Sequence, residues 1–405
     1  MKIIYLHQYF VTPSMSGGTR SYEMARRLVA KGHDVHIITS WQGDTSRKGW
    51  SSEKIEGINV HWLPVHYSNH MSYSDRMKAF ARFAMRAGPK AVQIGGDVVL
   101  ATSTPLTIAL PGVYAARRLK VPMVFEVRDL WPELPIAMGA ISHPLAIYLA
   151  GKLERFAYYN SKKIVALSPG MAEGIKRAGY PESEIYVIPN SCDTDLFKSN
   201  DDSGGGCFFS SLIGRECKKV VLYPGTLGHI NDVGYLVDIA ASVVNIDSEI
   251  DFFVIGDGAQ KEKIINKAKE MGVLGVNFHL FESMPKKDLV SAFRDASIVA
   301  SLFLPLPEME SNSANKFFDA LASGTPVMIN YRGWQKEILK NSGCGLVLDR
   351  NVSKSAQDLV DYLADSESME KASVSALSLA NGEFNRDALA IQLEAVIVSA
   401  VQEGV

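Results

Sequence analysis

Short runs of β-branched and aromatic residues recur along the chain. Each leads into a loop of glycine, serine or proline and then into apolar residues at three- and four-residue spacing. The first run, Ile3-Ile4-Tyr5-Leu6, precedes a loop with Gly17-Gly18, a helical pattern over about 21–30 and a second strand at 35–39. Strand, loop, helix and strand in that order predict a βαβ unit and a parallel sheet. The same reading places strands at 97–101, 123–127, 164–168 and 185–188, with helices over 106–119, 144–159 and 171–178. A second series opens at Val220 and gives strands at 250–255, 276–280, 298–303 and 345–348. Its helices fall at 260–271, 286–295, 353–364 and 386–402. Two doubly wound domains follow, 1–195 and 196–385, with a last helix (about 386–405) long enough to cross back and brace the first. The tract Asn200-Asp201-Asp202-Ser203-Gly204-Gly205-Gly206 predicts a mobile loop just after the crossover.

Length agrees with two domains, since 405 residues exceed one core. Met1-Lys2 runs straight into a strand, so no signal peptide is expected, and no apolar run is long enough to span a bilayer. The four cysteines lack CxxC or metal spacing and read as reduced thiols of a cytosolic protein. The net charge of −2 hides an asymmetry. Residues 1–180 carry 23 Lys and Arg against 12 Asp and Glu, an excess of +11, whereas 181–405 carry 19 against 32, or −13. A basic half suits phosphate-rich or membrane-surface partners. Within it, Lys78, Arg82, Arg86 and Lys90 recur every four residues over 74–90, with Met77, Phe80, Ala81, Ala84 and Ala87 as an apolar side. Such a helix either docks on an anionic membrane or is a solvated helix face. Nothing points to nucleic acid.

The densest chemistry lies in 311–330. Asn312 and Ser313 are N-cap types and Gly324 is a helix stop, so a short helix is predicted with the amides of Ala314, Asn315 and Lys316 free at its tip. Such amides stabilise an anion, and Lys316 adds a cation. Asp319 lies one turn on, about 4.5 Å along the axis. That offset suits a nucleoside diphosphate, with phosphates at the tip and ribose hydroxyls on the carboxylate. The same residues also fit a half-buried surface helix with Lys316 and Asp319 paired. Gly17-Gly18 matches neither phosphate-loop fingerprint and reads equally as a ligand loop or a plain turn. Glu126, Arg128 and Asp129 stand at a strand's carboxyl end, where α/β sheets bind ligands. Asp193-x-Asp195 is too little for a metal site, and none is expected.

Taken together these residues resemble glycosyltransferase family 4. The resemblance rests on Gly17-Gly18, Leu167-Ser168-Pro169, Val187-Ile188-Pro189-Asn190-Ser191-Cys192-Asp193, Tyr223-Pro224-Gly225-Thr226-Leu227-Gly228, Ile255-Gly256-Asp257-Gly258 and Asp319-Ala320-Leu321-Ala322-Ser323-Gly324-Thr325-Pro326-Val327. It implies a GT-B fold, two Rossmann-like domains facing across a cleft, and a retaining, metal-independent transferase. Asp129-Leu130-Trp131-Pro132-Glu133 and Asn315-Lys316-Phe317-Phe318-Asp319 look like a subgroup acting in bacterial surface polysaccharide synthesis (O-antigen, lipopolysaccharide, capsule), with fucosamine-type sugars. The resemblance therefore implies a UDP-linked amino- or deoxyaminosugar donor as substrate, no cofactor, and a polyprenyl-diphosphate-linked saccharide acceptor. The place of action would be the cytoplasmic face of the cell membrane.

Three departures stand out. The family's Glu-x7-Glu pair becomes Ser311 and Asp319. The usual diphosphate-clamping Arg and Lys fall near Thr226 and Asn231. The family histidine falls at Thr102, leaving His7 as the nearest alternative. The resulting expectation places the donor's base against Phe281–Pro285, including Met284, and its ribose on Asp319. Its diphosphate falls at Ala314, Asn315 and Lys316, beside Thr226, Gly256 and Asp257, with Gly17 and Gly18 closing from the other domain. Lys316 stabilises the leaving group, and Glu126 and Asp129 orient the sugar or acceptor. A GT-B nucleotide-sugar 2-epimerase and a non-catalytic sugar-nucleotide-binding protein remain open on the sequence.

Overall fold

The computed structural model describes residues 1–41, 43, 48–66, 71–198 and 208–404. The predicted loop at 200–206 lies outside these. Among the described residues the chain forms two sheets. The first holds β1 (Lys2–Leu6), β2 (Asp34–Trp41), β3 (Ser51–Ile55), β4 (Ile58–Pro64), β5 (Val98–Thr102), β6 (Met123–Val127), β7 (Lys163–Ala166) and β8 (Ile185–Val187). Their order is β3-β4-β2-β1-β5-β6-β7-β8, all parallel except the β3–β4 hairpin. The second holds β9 (Lys219–Pro224), β10 (Ile250–Ile255), β11 (Phe278–Phe281), β12 (Ile298–Ser301), β13 (Val327–Ile329) and β14 (Gly345–Val347), in the order β11-β10-β9-β12-β13-β14.

Both sheets are buried on two faces by helices, which is why central strands such as β5, β6 and β10 are buried along their whole length. The strand order reverses between β1 and β5 in one sheet and between β9 and β12 in the other. Such switch points open a crevice beyond the strands' carboxyl ends, where α/β sheets take ligands. Arg386–Gln402 crosses back and packs on the first domain, Leu389, Leu393 and Ile397 joining the cluster that contains Ile3, Tyr5 and Val98. Among the described residues no helix is long and apolar enough to cross a membrane.

The helix Tyr73–Ile94 runs through Pro89, longer than its amphipathic stretch predicts. Phe80, Phe83 and Ala87 point into the core, so part of the predicted apolar side is not available to a membrane. Lys90 leaves the basic stripe and sits 5.8 Å over the Trp50 ring. Met77 and Met85 take the exposed side with Lys78, Arg82 and Arg86.

One buried ion pair locks the first domain together. Arg20, wholly buried at the start of the first helix, lies 3.0 Å from Glu126 on β6 and donates to the carbonyls of Ile188 and Pro189. It therefore ties the glycine loop to β6 and to the segment that leaves the domain. Arg20→Met would strand the Glu126 carboxylate in the core and should cost roughly 3–5 kcal/mol in urea unfolding. Glu126→Gln keeps an acceptor for Arg20 but leaves its guanidinium, which cannot shed its proton, without a counter-charge, and should cost a similar amount.

Candidate functional site

The helix Asn315–Ser323 begins two residues later than its predicted caps. Ala314 is the cap residue, with no side-chain bond, because the polar side chains before it are engaged elsewhere. Ser313 Oγ accepts from the Asn190 amide at 3.1 Å, and Asn190 Nδ2 donates to the Ser313 carbonyl at 2.5 Å. Asn312 Oδ1 accepts from the Ala314 amide at 3.2 Å, so that amide is not available to an anion. The amides of Asn315 and Lys316 remain as first-turn donors. Gly324 ends the helix at φ 75°, as its position predicts.

Lys316 reaches the switch point of the second sheet. Its ammonium donates to Tyr223 Oη at 3.0 Å, lies 4.3 Å from the Tyr223 ring centre and 5.9 Å from that of Phe303. A β-carbon at Gly225 would come within 3.3 Å of Lys316 Nζ, so the glycine leaves that approach open. Among the described residues no carboxylate lies within 4 Å of it; the expected alternative of a Lys316–Asp319 pair is not formed. Desolvation brings its pKa down to about 7. The residue is half-buried and sits beside the crevice as a cation without an anion.

From the other domain, Gly18 approaches the same helix tip. A β-carbon there would lie 2.5 Å from Asn315 Nδ2 and 3.8 Å from Arg128 Nη2, so Arg128 and Asn315 flank the glycine across the crevice. Gly17, at φ 136°, is exposed beside it. Arg128 is held by its amide on Ser103 Oγ (2.9 Å), and its Nη1 lies 3.0 Å from His7 Nε2. His7 is buried, and burial followed by the adjacent guanidinium keeps its pKa well below 6.5, so it is a neutral acceptor here. Asp129, half-buried, accepts from Thr104 Oγ1 at 2.8 Å, and burial raises its pKa.

The other expected site residues are tied into the protein in different ways. Glu126 has no exposed surface: it is bonded to Arg20 and to Thr102 Oγ1 (2.8 Å) and cannot meet a substrate. Burial works to raise its pKa, but Arg20 and Arg128 outweigh it and hold the carboxylate ionised. Asp319 is buried, with Lys286 Nζ 2.8 Å away. Asp193, the other tempting carboxylate, is also on Lys286. Gly256 is buried, and a β-carbon there would meet the Gly225 carbonyl at 1.8 Å, so its need for glycine comes from packing between loops. The Asp257 carbonyl accepts from the Leu227 amide, while its side chain is exposed. Thr226 is exposed, its carbonyl taken by Tyr223 Oη. Phe281 stacks on Phe253 (6.1 Å, 9°) and, with Met284, stays half-buried.

Ser311, at the position of the family's first glutamate, lies in an interdomain contact. Its carbonyl accepts from Ser168 Oγ at 2.6 Å, and a β-carbon on Gly170 would fall 2.2 Å from Ser311 Oγ. A glutamate at 311 would have to displace this packing. Arg128 stands at the strand end that the sequence marks for ligands, but its approach to the second domain's helix tip has no sequence signal; Tyr223 lies in a stretch that carries the resemblance, while Phe303 and Lys286 only close a predicted strand and open a predicted helix.

The comparisons with known proteins fit this geometry. Residues 17–191 match the family model described as glycosyl transferase 4-like domain, and 210–376 match glycosyl transferases group 1. The chain is 20% identical over 351 residues to the alpha-monoglucosyldiacylglycerol synthase of Streptococcus pneumoniae, covering 84% of this chain and 74% of that one. Among solved structures it is similar to the sucrose-phosphate synthase of Thermosynechococcus elongatus, with a TM-score of 0.79 at 14% identity and full coverage of both chains. It is similar also to Anabaena HepE in complex with UDP and glucose, at a TM-score of 0.72, 16% identity, and 98% and 100% coverage. With the two family models spanning most of its length and the two facing parallel sheets between them, the chain belongs to the GT-B glycosyltransferases of the 4-like and group 1 type.

Proposed function

We propose that the chain transfers a sugar, with retention, from a UDP-sugar to a saccharide carried on a polyprenyl diphosphate at the inner face of the cell membrane. The observation that carries this reading is a pair of cations, Lys316 and Arg128. Each lacks a carboxylate within 4 Å among the described residues, and they come from opposite domains to the tip of one helix. A diphosphate bridging them would meet the Asn315 and Lys316 amides as well. The departing diphosphate gains charge as the bond from the sugar's anomeric carbon to the phosphate oxygen breaks, and preorganised donors stabilise that charge. The acceptor oxygen forms its bond on the same face and gives its proton to the leaving phosphate oxygen, so no protein base is needed. Asp129 at the crevice edge orients the acceptor or the sugar. Anabaena HepE, bound to UDP and glucose, lends support to the choice of base. An amino- or deoxyaminosugar is the donor sugar favoured by Asp129-Leu130-Trp131-Pro132-Glu133 and Asn315-Lys316.

The lipid-linked acceptor is supported by one face of the first domain. The exposed stripe of Tyr73–Ile94, with Met85 69% exposed beside Arg82 and Arg86, adjoins Ala109–Leu119 through Tyr114, which lies against Gly88. Next to it Pro144–Tyr159 exposes Leu145, Tyr148 and Leu149, each more than half exposed, ahead of Lys152 and Arg155. Apolar side chains among Arg82, Arg86, Lys152 and Arg155, which form no ion pair among the described residues, match the chemistry of an anionic lipid surface.

Lys316→Ala should weaken UDP binding by about 1.5–3 kcal/mol in calorimetry. A lysine depressed to about 7 is about nine-tenths neutral at pH 8, and a bound diphosphate draws the proton back. Wild-type binding at pH 8 should therefore take up a proton, giving an enthalpy that depends on buffer ionisation. Affinity should fall as pH rises above 7. The Ala variant should lose that buffer dependence; its persistence would remove Lys316 from the diphosphate.

Turnover should withstand EDTA, because the two cations and the helix-tip amides supply the charge a metal would bring. Loss with EDTA and rescue by Mn²⁺ would overturn the mechanism.

Changing Lys78, Arg82 and Arg86 to Glu should release the protein from anionic vesicles, at roughly 1 kcal/mol per lost basic residue, more visibly in low salt. UDP affinity should hold. Unaltered sedimentation with phosphatidylglycerol vesicles would leave the stripe as a solvated helix face.

A further inference from the structure

A single ammonium joins the cleft helix to the place where the chain passes between domains. Lys286 Nζ lies 2.6 Å from Asp193 Oδ2 and 2.8 Å from Asp319 Oδ1. Arg386 Nη2 is 3.0 Å from Asp193 Oδ2 and donates to the Ser191 carbonyl at 2.6 Å, while its Nε meets Asp193 Oδ1. The four residues come from four places. Asp193 belongs to the first crossing and Arg386 to the second, Lys286 opens the 3-10 turn Lys286–Leu289, and Asp319 is on the cleft helix. All are at least nine-tenths buried.

Two carboxylates and two cations balance, but unevenly. Asp193 holds both cations. Although burial acts against it, Arg386 and Lys286 keep its pKa at about 2. Among the described residues Asp319 has only Lys286 within 4 Å, and its side chain keeps 11% of its surface exposed. Burial still raises its pKa, with Lys286 opposing and Asp193 adding to the rise; Arg386 is the remaining charge acting on it. The Cys192 thiol beside them is pushed up by burial and stays protonated. Removing Lys286 would leave a buried carboxylate facing Asp193 with no cation in contact, and such a group takes up a proton. A protonated Asp319 loses its capacity as a double acceptor.

We propose that Lys286 is a positioning residue for the donor's ribose: it holds Asp319 ionised and fixed as acceptor for the ribose hydroxyls. Through Asp193 it anchors that contact to the crossing between the domains. The inference rests on the proposed transfer from a UDP-sugar and on the expectation from the sequence that Asp319 accepts the donor's ribose hydroxyls. It adds a reason why a carboxylate enclosed so deeply can serve there.

The test compares UDP with 2′,3′-dideoxy-UDP by calorimetry on the full chain, because their affinity ratio isolates the ribose contact from the diphosphate contacts of Lys316 and Arg128. In the wild type the ratio should be about tenfold to a hundredfold and level between pH 6 and 8.5. In Lys286→Met it should collapse at pH 6 and recover as the pH rises, while Lys286→Arg should keep it level. If Lys286→Met does not fold, Lys286→Gln combined with Asp193→Asn leaves charges balanced and removes the share of the rise due to Asp193, so the ratio should fall less but still most at pH 6. A ratio in these variants equal to that of the wild type at every pH, with Asp319→Asn abolishing it, would make Lys286 merely structural and overturn the proposal. A ratio untouched by Asp319→Asn would instead sink the ribose reading itself.

Discussion

Two separately folded halves keep a common register because the chain passes between them twice at one spot and closes buried charge there. Cys192 of the first passage pairs with Asn385 of the second as an isolated β-bridge, and the Cys192 amide donates to the Phe384 carbonyl at 2.8 Å. Arg386 and Lys286 then neutralise Asp193 inside the junction. Charges this deep are tolerated only when paired and hydrogen-bonded, so the junction resists any arrangement that parts Asp193 from its two cations. The interdomain bonds of Ser168 to Ser311 and of Asn190 to Ser313 depend on that register. So does the approach of Gly18 to Asn315.

With the register set, the crevice acquires its character from what is missing around its cations. Arg20 and Glu126 satisfy each other in full, and Lys286 serves two carboxylates. Among the described residues Lys316 meets aromatic rings and a phenol oxygen, and Arg128 a neutral imidazole. An ammonium in such a setting is disfavoured by desolvation and regains that free energy when an anion enters. The loss of the family's first glutamate fits the same logic. A carboxylate near Ser311 would add negative charge at the end of the helix where the proposed diphosphate would lie.

The parallel strands were legible in the sequence because a strand buried on both faces reads as one continuous apolar run, and both sheets follow such runs. The β3–β4 hairpin escaped notice. Its outer strand Ser51–Ile55 is polar and its turn, with Glu56 at φ 44° and Gly57 at φ 85°, has only the glycine as a signal. The helix Ser366–Asn381 also went unread, since its serine- and alanine-rich sequence has little amphipathic contrast; Asp365, which caps it, was the available sign. In the site, Lys316 and Gly18 come to one crevice, whereas Glu126, expected to orient the sugar or acceptor, is enclosed with Arg20. A charge at a strand's end is compatible with either a ligand or an internal ion pair, and the partner that decides, Arg20, stands 106 residues earlier in the chain.

The charge asymmetry of the sequence gains meaning from the closing helix. Arg386–Gln402 belongs by sequence to the acidic half, yet it lies on the basic domain. Asp387 pairs with Arg27, and Glu394 takes Lys31 and His33. Just beyond its end, Glu403 reaches Lys163 at 2.8 Å. Part of the excess of +11 is thus cancelled on the side the helix covers. Among the described residues Arg82, Arg86, Arg118, Lys152 and Arg155 form no ion pair; they stand on Tyr73–Ile94, Ala109–Leu119 and Pro144–Tyr159. A surplus spread evenly would give a weak, unoriented attraction to any anionic surface. Neutralised on one side and left bare beside exposed Met85, Tyr148 and Leu149 on another, it gives the domain a directional field. The turn of chain joining this face to the crevice is short: Glu133–Ala137 packs on the second domain's turn Pro307–Ser311, and Pro144–Tyr159 begins seven residues later. An acceptor held at that face would therefore enter the crevice from the first domain's side, opposite the helix that carries Lys316.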